Sequence, residues 1–196
     1  MRKFLSLPVA ALFAALLMPS AFAADAPDTS SPKSTAVAFA KALQANDTEG
    51  LKAVCVGSDD EQKAVQTLGG AMSAMRRFKA ACADKFGKDN ALGGGIPDMN
   101  LVAEAEKAEF KIDGDTAKSV AKEGEPQKEQ AVLKKIDGKW KVDLKSMGAE
   151  LMTQAKQMEK FQKLFNDCAA EIESGKYKTI EEAALAIQPR MLEAQK

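Results

Sequence analysis

Apolar positions along this chain follow two periods, first that of a helix and then that of a strand. Val37, Ala40 and Leu43 recur at helical spacing behind Ser31-Pro32, a good helix start because proline is tolerated in the first turn. Asn46-Asp47 ends that helix, and residues 51–56 predict a short second one. Ser58-Asp59-Asp60-Glu61 is a capping box, in which the serine accepts from the third amide and the glutamate reaches back. Behind it Ala64/Val65, Leu68, Met72, Met75, Phe78, Cys82 and Phe86 form one apolar stripe on a long helix, with a bend expected at Gly69-Gly70.

After a glycine- and proline-broken loop over 87–100 the period becomes two. Ala108, Phe110 and Ile112 alternate with charged residues up to Asp113-Gly114. This predicts a hairpin pairing Phe110 with Ala117 and Ala108 with Ser119, with Glu109 against Lys118 on the other face. Residues 131–136 and 139–144 flank Asp137-Gly138, a strong two-residue hairpin signal. Its register sets Lys135 opposite Trp140, Leu133 opposite Val142 and Ala131 opposite Leu144, all on one face. Helical spacing then returns in Leu151, Ala155, Met158, Phe161 or Gln162, Phe165, Cys168 and Ile172, stopped by Ser174-Gly175. Thr179-Ile180-Glu181-Glu182 is a second capping box, opening a last helix that Pro189 interrupts or kinks.

The N-terminus reads as an export signal. Arg2 and Lys3 precede an apolar run over 4–18, and Ala21-Phe22-Ala23 supplies the small-x-small cleavage pattern. The run is short for a transmembrane helix, and no later stretch approaches one. The expected organisation is a signal peptide over 1–23, a flexible leader over 24–32, an α+β domain over 33–146 and a helical extension over 147–196. Charge adds little: 28 basic and 28 acidic side chains become 26 against 28 once Arg2 and Lys3 are removed. No basic run of five or six residues suggests nucleic acid as a partner.

Helices followed by Asp-Gly hairpins form a familiar order. Ala38-Phe39-Ala40-Lys41-Ala42-Leu43-Gln44-Ala45-Asn46-Asp47 carries it first. Ile112-Asp113-Gly114-Asp115-Thr116-Ala117 and Val132-Leu133-Lys134-Lys135-Ile136-Asp137-Gly138-Lys139-Trp140-Lys141-Val142 follow. Over about 33–146 the chain resembles the NTF2-like (cystatin-like cone) superfamily, especially its small exported domains of unknown function. The resemblance implies helices packed into the concave side of a curved antiparallel sheet, often around a pocket. The helices after the last strand depart from that pattern and would cap the cone or carry a partner surface. On this reading the pocket is lined by Phe110, Leu133, Trp140, Val142 and Leu144. Glu106 joins them as the one acid that the hairpin register sends to the Phe110 face, opposite Ala121.

The chemistry available is thin. There is no histidine, so the commonest general base and metal ligand is missing. Tyr177, the only tyrosine, falls in a helix connector. Three cysteines allow three single pairings and leave one thiol over. Cys55 with Cys82 is the pair expected here, since both sit near the ends of adjacent helices. Met72, Met75 and Cys82 would suit copper(I), but they lie on a core stripe where methionine is ordinary filler. Gly93-Gly94-Gly95 lacks the lysine and hydroxyl of a phosphate loop and reads as a connector. No catalytic residue, metal or cofactor is assigned. The leading expectation is a non-enzymatic binding or accessory protein of the cell envelope, exported to the periplasm or secreted, with a small apolar pocket. The alternatives are a protein–protein interaction module acting through 147–196, and a carboxylate-dependent isomerase- or hydrolase-like enzyme.

Overall fold

The computed structural model describes residues 26–120 and 131–194. The expected signal peptide and Ala121 lie outside the described residues. The elements in chain order are α1 (Pro32–Ala45), α2 (Thr48–Val54), β1 (Cys55–Val56), α3 (Asp59–Phe86) and α4 (Leu101–Lys107). Then come β2 (Phe110–Asp113), β3 (Thr116–Ser119), β4 (Val132–Ile136) and β5 (Lys139–Asp143). A 3₁₀ turn (Leu144–Met147) leads into α5 (Gly148–Glu173), and α6 (Ile180–Ala194) follows. The fold is α+β, with an open mixed sheet in the order β1-β5-β4-β3-β2. β1 runs parallel to β5, and every other pairing is antiparallel.

The helix ends form for the reasons their residues give. Ser31 and Ser34 cap α1 reciprocally, and Asn46 closes it in the left-handed region at φ 55°. Ser58 Oγ accepts from Glu61 N–H at 3.3 Å while the Glu61 carboxylate accepts from Ser58 N–H at 2.7 Å. Through Gly69-Gly70, where a bend was expected, α3 runs unbroken. Both glycines are buried at a crossing of three helices. A Cβ on Gly69 would come within 3.2 Å of Asn46 Oδ1, and one on Gly70 within 2.6 Å of the Gln162 amide. Absence of a side chain serves close approach here, not flexibility.

Sequence periodicity misplaces three short segments. Cys55 and Val56 are not helical; they form β1, paired with Val142 and Asp143. Residues 101–107, with Glu106 among them, form α4 and do not begin a strand. The first hairpin is shifted by two: Phe110 faces Ser119 and Ile112 faces Ala117, while Lys111, not Glu109, lies opposite Lys118. A two-residue slip keeps every side chain on its own face, so alternation cannot detect it. Turn chemistry decides. The loop is Gly114-Asp115, and only the glycine has positive φ, at 58°.

The second hairpin pairs as its turn dictates. Leu133 faces Val142 and Lys135 faces Trp140. Asp137 and Gly138 both sit at positive φ, at 50° and 77°, as a type I′ turn requires. Lys135 Nζ lies 5.9 Å from the centre of the Trp140 ring. The Ala131–Leu144 pair does not form, because the strands stop at Val132 and Asp143 and Leu144 enters the 3₁₀ turn. Thr29, ahead of α1, also lies against the sheet. Thr29 is buried, and its carbonyl accepts from Trp140 N–H at 2.9 Å on the edge of β5.

Two cores result. The proximal one packs Leu133, Trp140, Val142 and Leu144 against Leu43, Leu51, Val65 and Leu151. The distal one joins Phe78 and Cys82 of α3, Phe165 and Cys168 of α5, and Ala183 and Ile187 of α6. The long helices α3 and α5 therefore belong to both. Thr179 Oγ1 accepts from Glu182 N–H at 3.3 Å, but the Glu182 carboxylate reaches Lys178 N–H instead of the cap residue's own. α6 continues through Pro189 without interruption.

Candidate functional site

None of the concavities described below is lined by Phe110, Leu133, Trp140, Val142 or Leu144. Leu133, Trp140, Val142 and Leu144 are buried, with Trp140 5% exposed, and helices cover them. Phe110 is half-buried and packs against the same core. Glu106 stands apart on α4, exposed to solvent.

Concave apolar surface instead lies where α1, α3 and α5 converge. Phe39 and Leu43 come from α1, Val65 and Leu68 from α3, and Met147 and Leu151 from the start of α5 and the turn before it; together they line a cavity of about 370 Å³. Ser146, Glu150 and Gln154 bring polar groups to the same cavity. Helical stripes explain its floor: Leu43, Val65 and Leu151 are the innermost members of three apolar faces and are buried. Phe39, Leu68 and Met147 are half-buried and stand around it. Apolar walls with a few polar groups are the usual make-up of a small-molecule site. All six apolar residues except Phe39 and Met147 were legible as core positions. What sequence could not show is that three stripes meet without filling the space between them.

A second concavity, about 910 Å³, is a groove along α1 bounded by residues 26–31, α2 and α4. Small residues such as Ala38, Ala42 and Ala53 form its base, while Lys33, Lys41, Asp47, Glu49 and Glu106 bring charges of both signs.

The cysteines do not form the expected Cys55–Cys82 bridge. All three are free thiols and buried. Cys55 sits in the proximal core and Cys82 in the distal one. Cys82 lies about 35 Å along α3 from Asp59, at about 1.5 Å per residue. The four residues back to Cys55 span at most about 14 Å, leaving about 20 Å against the roughly 7 Å a disulfide tolerates. Burial pushes the Cys55 thiol up to about 12 and the Cys82 thiol up to about 11. Such thiols are poor nucleophiles. Met72 and Met75 line a small cavity of about 140 Å³ with Met99, Arg76 and Lys79, while Cys82 lies elsewhere, in the distal core. Two amides of the glycine run are already used: Gly93 N–H donates to Asn90 Oδ1 and Gly94 N–H to the Asn90 carbonyl.

One titratable cluster is strongly perturbed. Glu171 accepts from Tyr177 Oη at 2.6 Å and from Arg190 at 2.8 Å, and Lys176 approaches to 3.0 Å. The Tyr177 hydrogen bond above all, with the two cations, holds the Glu171 carboxyl down at about 2. These contacts join α5, its terminal turn and α6, which is a structural role. Among the described residues, no group of three or more cysteine and acidic side chains is placed to hold a metal ion. No helix among them is long and apolar enough to cross a membrane. Comparison with protein families, with curated proteins and with solved structures finds no match for this chain.

Proposed function

We propose that the chain is an exported, non-enzymatic binding protein of the cell envelope, built on an NTF2-like arrangement, and that it takes a small apolar or amphipathic ligand. The binding place is the cavity between α1, α3 and α5. One observation carries this reading: a cavity of about 370 Å³ walled by Phe39, Leu43, Val65, Leu68, Met147 and Leu151, with Glu150 and Gln154 beside them. Export rests on Arg2-Lys3, the apolar run and Ala21-Phe22-Ala23. The amphipathic class follows from the lining, since an acyl chain suits the wall and a polar head the glutamine and serine.

Thermal unfolding against straight-chain alcohols and fatty acids of graded length tests it. The melting temperature should rise with the logarithm of ligand concentration above the dissociation constant. Leu68→Trp should fill the cavity and abolish the rise while leaving the fold intact by circular dichroism. Equal protection of both proteins, or none of either, overturns the reading.

A second reading is favoured by the outer face of α6. Leu185 and Leu192 are 78% and 63% exposed, two turns apart on one side of the helix. This suits a protein contact through the C-terminal helices. Self-association is the simplest form, and sedimentation across a concentration series should show it lost in Leu185→Ser/Leu192→Ser.

A further inference from the structure

We propose that Cys82 and Cys168 are the pair that becomes a disulfide, tying α3 to α5 across the distal core, and that Cys55 remains a thiol. The two helices lie side by side and run in the same direction. Leu68 and Gln154 line one cavity, Gly70 meets Gln162, and Arg77 bonds Glu173 at 2.6 Å, so contacts advance in the same order along both. Phe78 and Phe165 meet with ring centres 5.3 Å apart. Cys82 follows Phe78 by four residues and Cys168 follows Phe165 by three, so each cysteine sits one turn further on the same face.

Both cysteines are fully buried in one cluster, in which alanines stand among larger side chains such as Phe78, Leu92 and Phe165. Ala74, Ala81 and Ala169 are buried there too, which allows the backbones the close approach a bridge requires. The 87–96 loop seals the site, since a Cβ on Gly93 would come within 3.1 Å of the Cys82 Cβ. The thiols also sense each other: after burial, charge on Cys168 is what raises the Cys82 thiol. Thiolate is therefore scarce once the core has closed, and exchange belongs to folding.

The oxidant is a small or protein disulfide. A Cys thiolate attacks one sulfur of oxidised glutathione, forming a mixed disulfide and releasing one glutathione thiolate. The second Cys thiolate then attacks the mixed disulfide and releases the other. Two protons and two electrons leave the protein, and one oxidised glutathione becomes two reduced ones. An oxidising compartment follows from export, which is part of the functional reading above; the choice of partners does not depend on it.

The test refolds the reduced full chain in a glutathione redox buffer, alkylates it in denaturant and maps the peptides. A Cys82–Cys168 peptide should appear, with Cys55 alkylated. The bridged protein should melt roughly 5 °C or more above the same protein reduced. Cys55→Ala, which keeps only the pair, should bridge equally. A bridge that includes Cys55, or three alkylated thiols, overturns the pairing. Free thiols in protein taken from cells, beside a bridge in the refolded protein, would uphold the pairing and count against export.

Discussion

Trp140 shows how much one residue joins. Its ring is buried, Lys135 lies over it, its N–H holds Thr29 and its carbonyl accepts from Thr35 Oγ1 at 3.4 Å. Trp140→Ala should cost about 3–5 kcal/mol in denaturant unfolding, from lost burial plus the cavity left behind. Glu171 makes a sharper prediction because it concerns pH. Its folded pKa of about 2 lies below the ordinary 4.5. A depressed carboxyl contributes stability that is complete above the unfolded pKa and is lost as pH falls toward the folded one. Glu171→Gln should therefore cost about 1–2 kcal/mol at neutral pH, allowing for partial solvent screening, and the gap to wild type should close between about pH 4.5 and 2. Chemical unfolding at stepped pH reads it directly.

At the scale of elements, legibility follows the range of the determining contact. α1, α3 and α5 were readable because their caps and stripes are local: Ser31, Ser58 and Gly175 mark boundaries by their own chemistry. The second hairpin was readable because Asp137-Gly138 encodes its own register. β1 was not, since two residues have no period and Cys55 becomes a strand only because Val142 is there to pair with it. The pocket was missed for a related reason: its walls come from positions as far apart as Phe39 and Leu151, and stripes report which face is buried, not whether the space between faces is filled. Pro189 offers a test on a single element. It removes one backbone hydrogen bond inside α6 and crowds the carbonyl four residues back. Pro189→Ala should raise stability by about 1–3 kcal/mol, visible as a higher melting temperature.

Over the whole molecule, α5 is not an appendage. Leu151 and Ala155 complete the proximal core, while Phe165, Cys168 and Ile172 complete the distal one. Ending the chain at Ser174 should leave the sheet core folded but uncover the distal cluster, giving a protein that binds a hydrophobic dye and aggregates. Ending it at Ser146 should abolish cooperative unfolding altogether, because both cores then lose a wall. Circular dichroism melts of the two truncations distinguish the cases.

The sheet has two unlike rims. On one side Thr29 and the two-residue β1 share the margin of β5, offering little length for another chain to pair with. On the other side β2 is the last strand among the described residues, four residues long, with Ile112 exposed on it. A sheet with one receptive rim cannot extend by strand pairing alone. Two copies joined β2 to β2 about a two-fold axis would consume both receptive rims, and growth would end there. A fibre built by strand pairing needs a second open margin, and here Thr29 and a blunt β1 stand in its place. Association through the sheet should therefore yield discrete pairs before filaments.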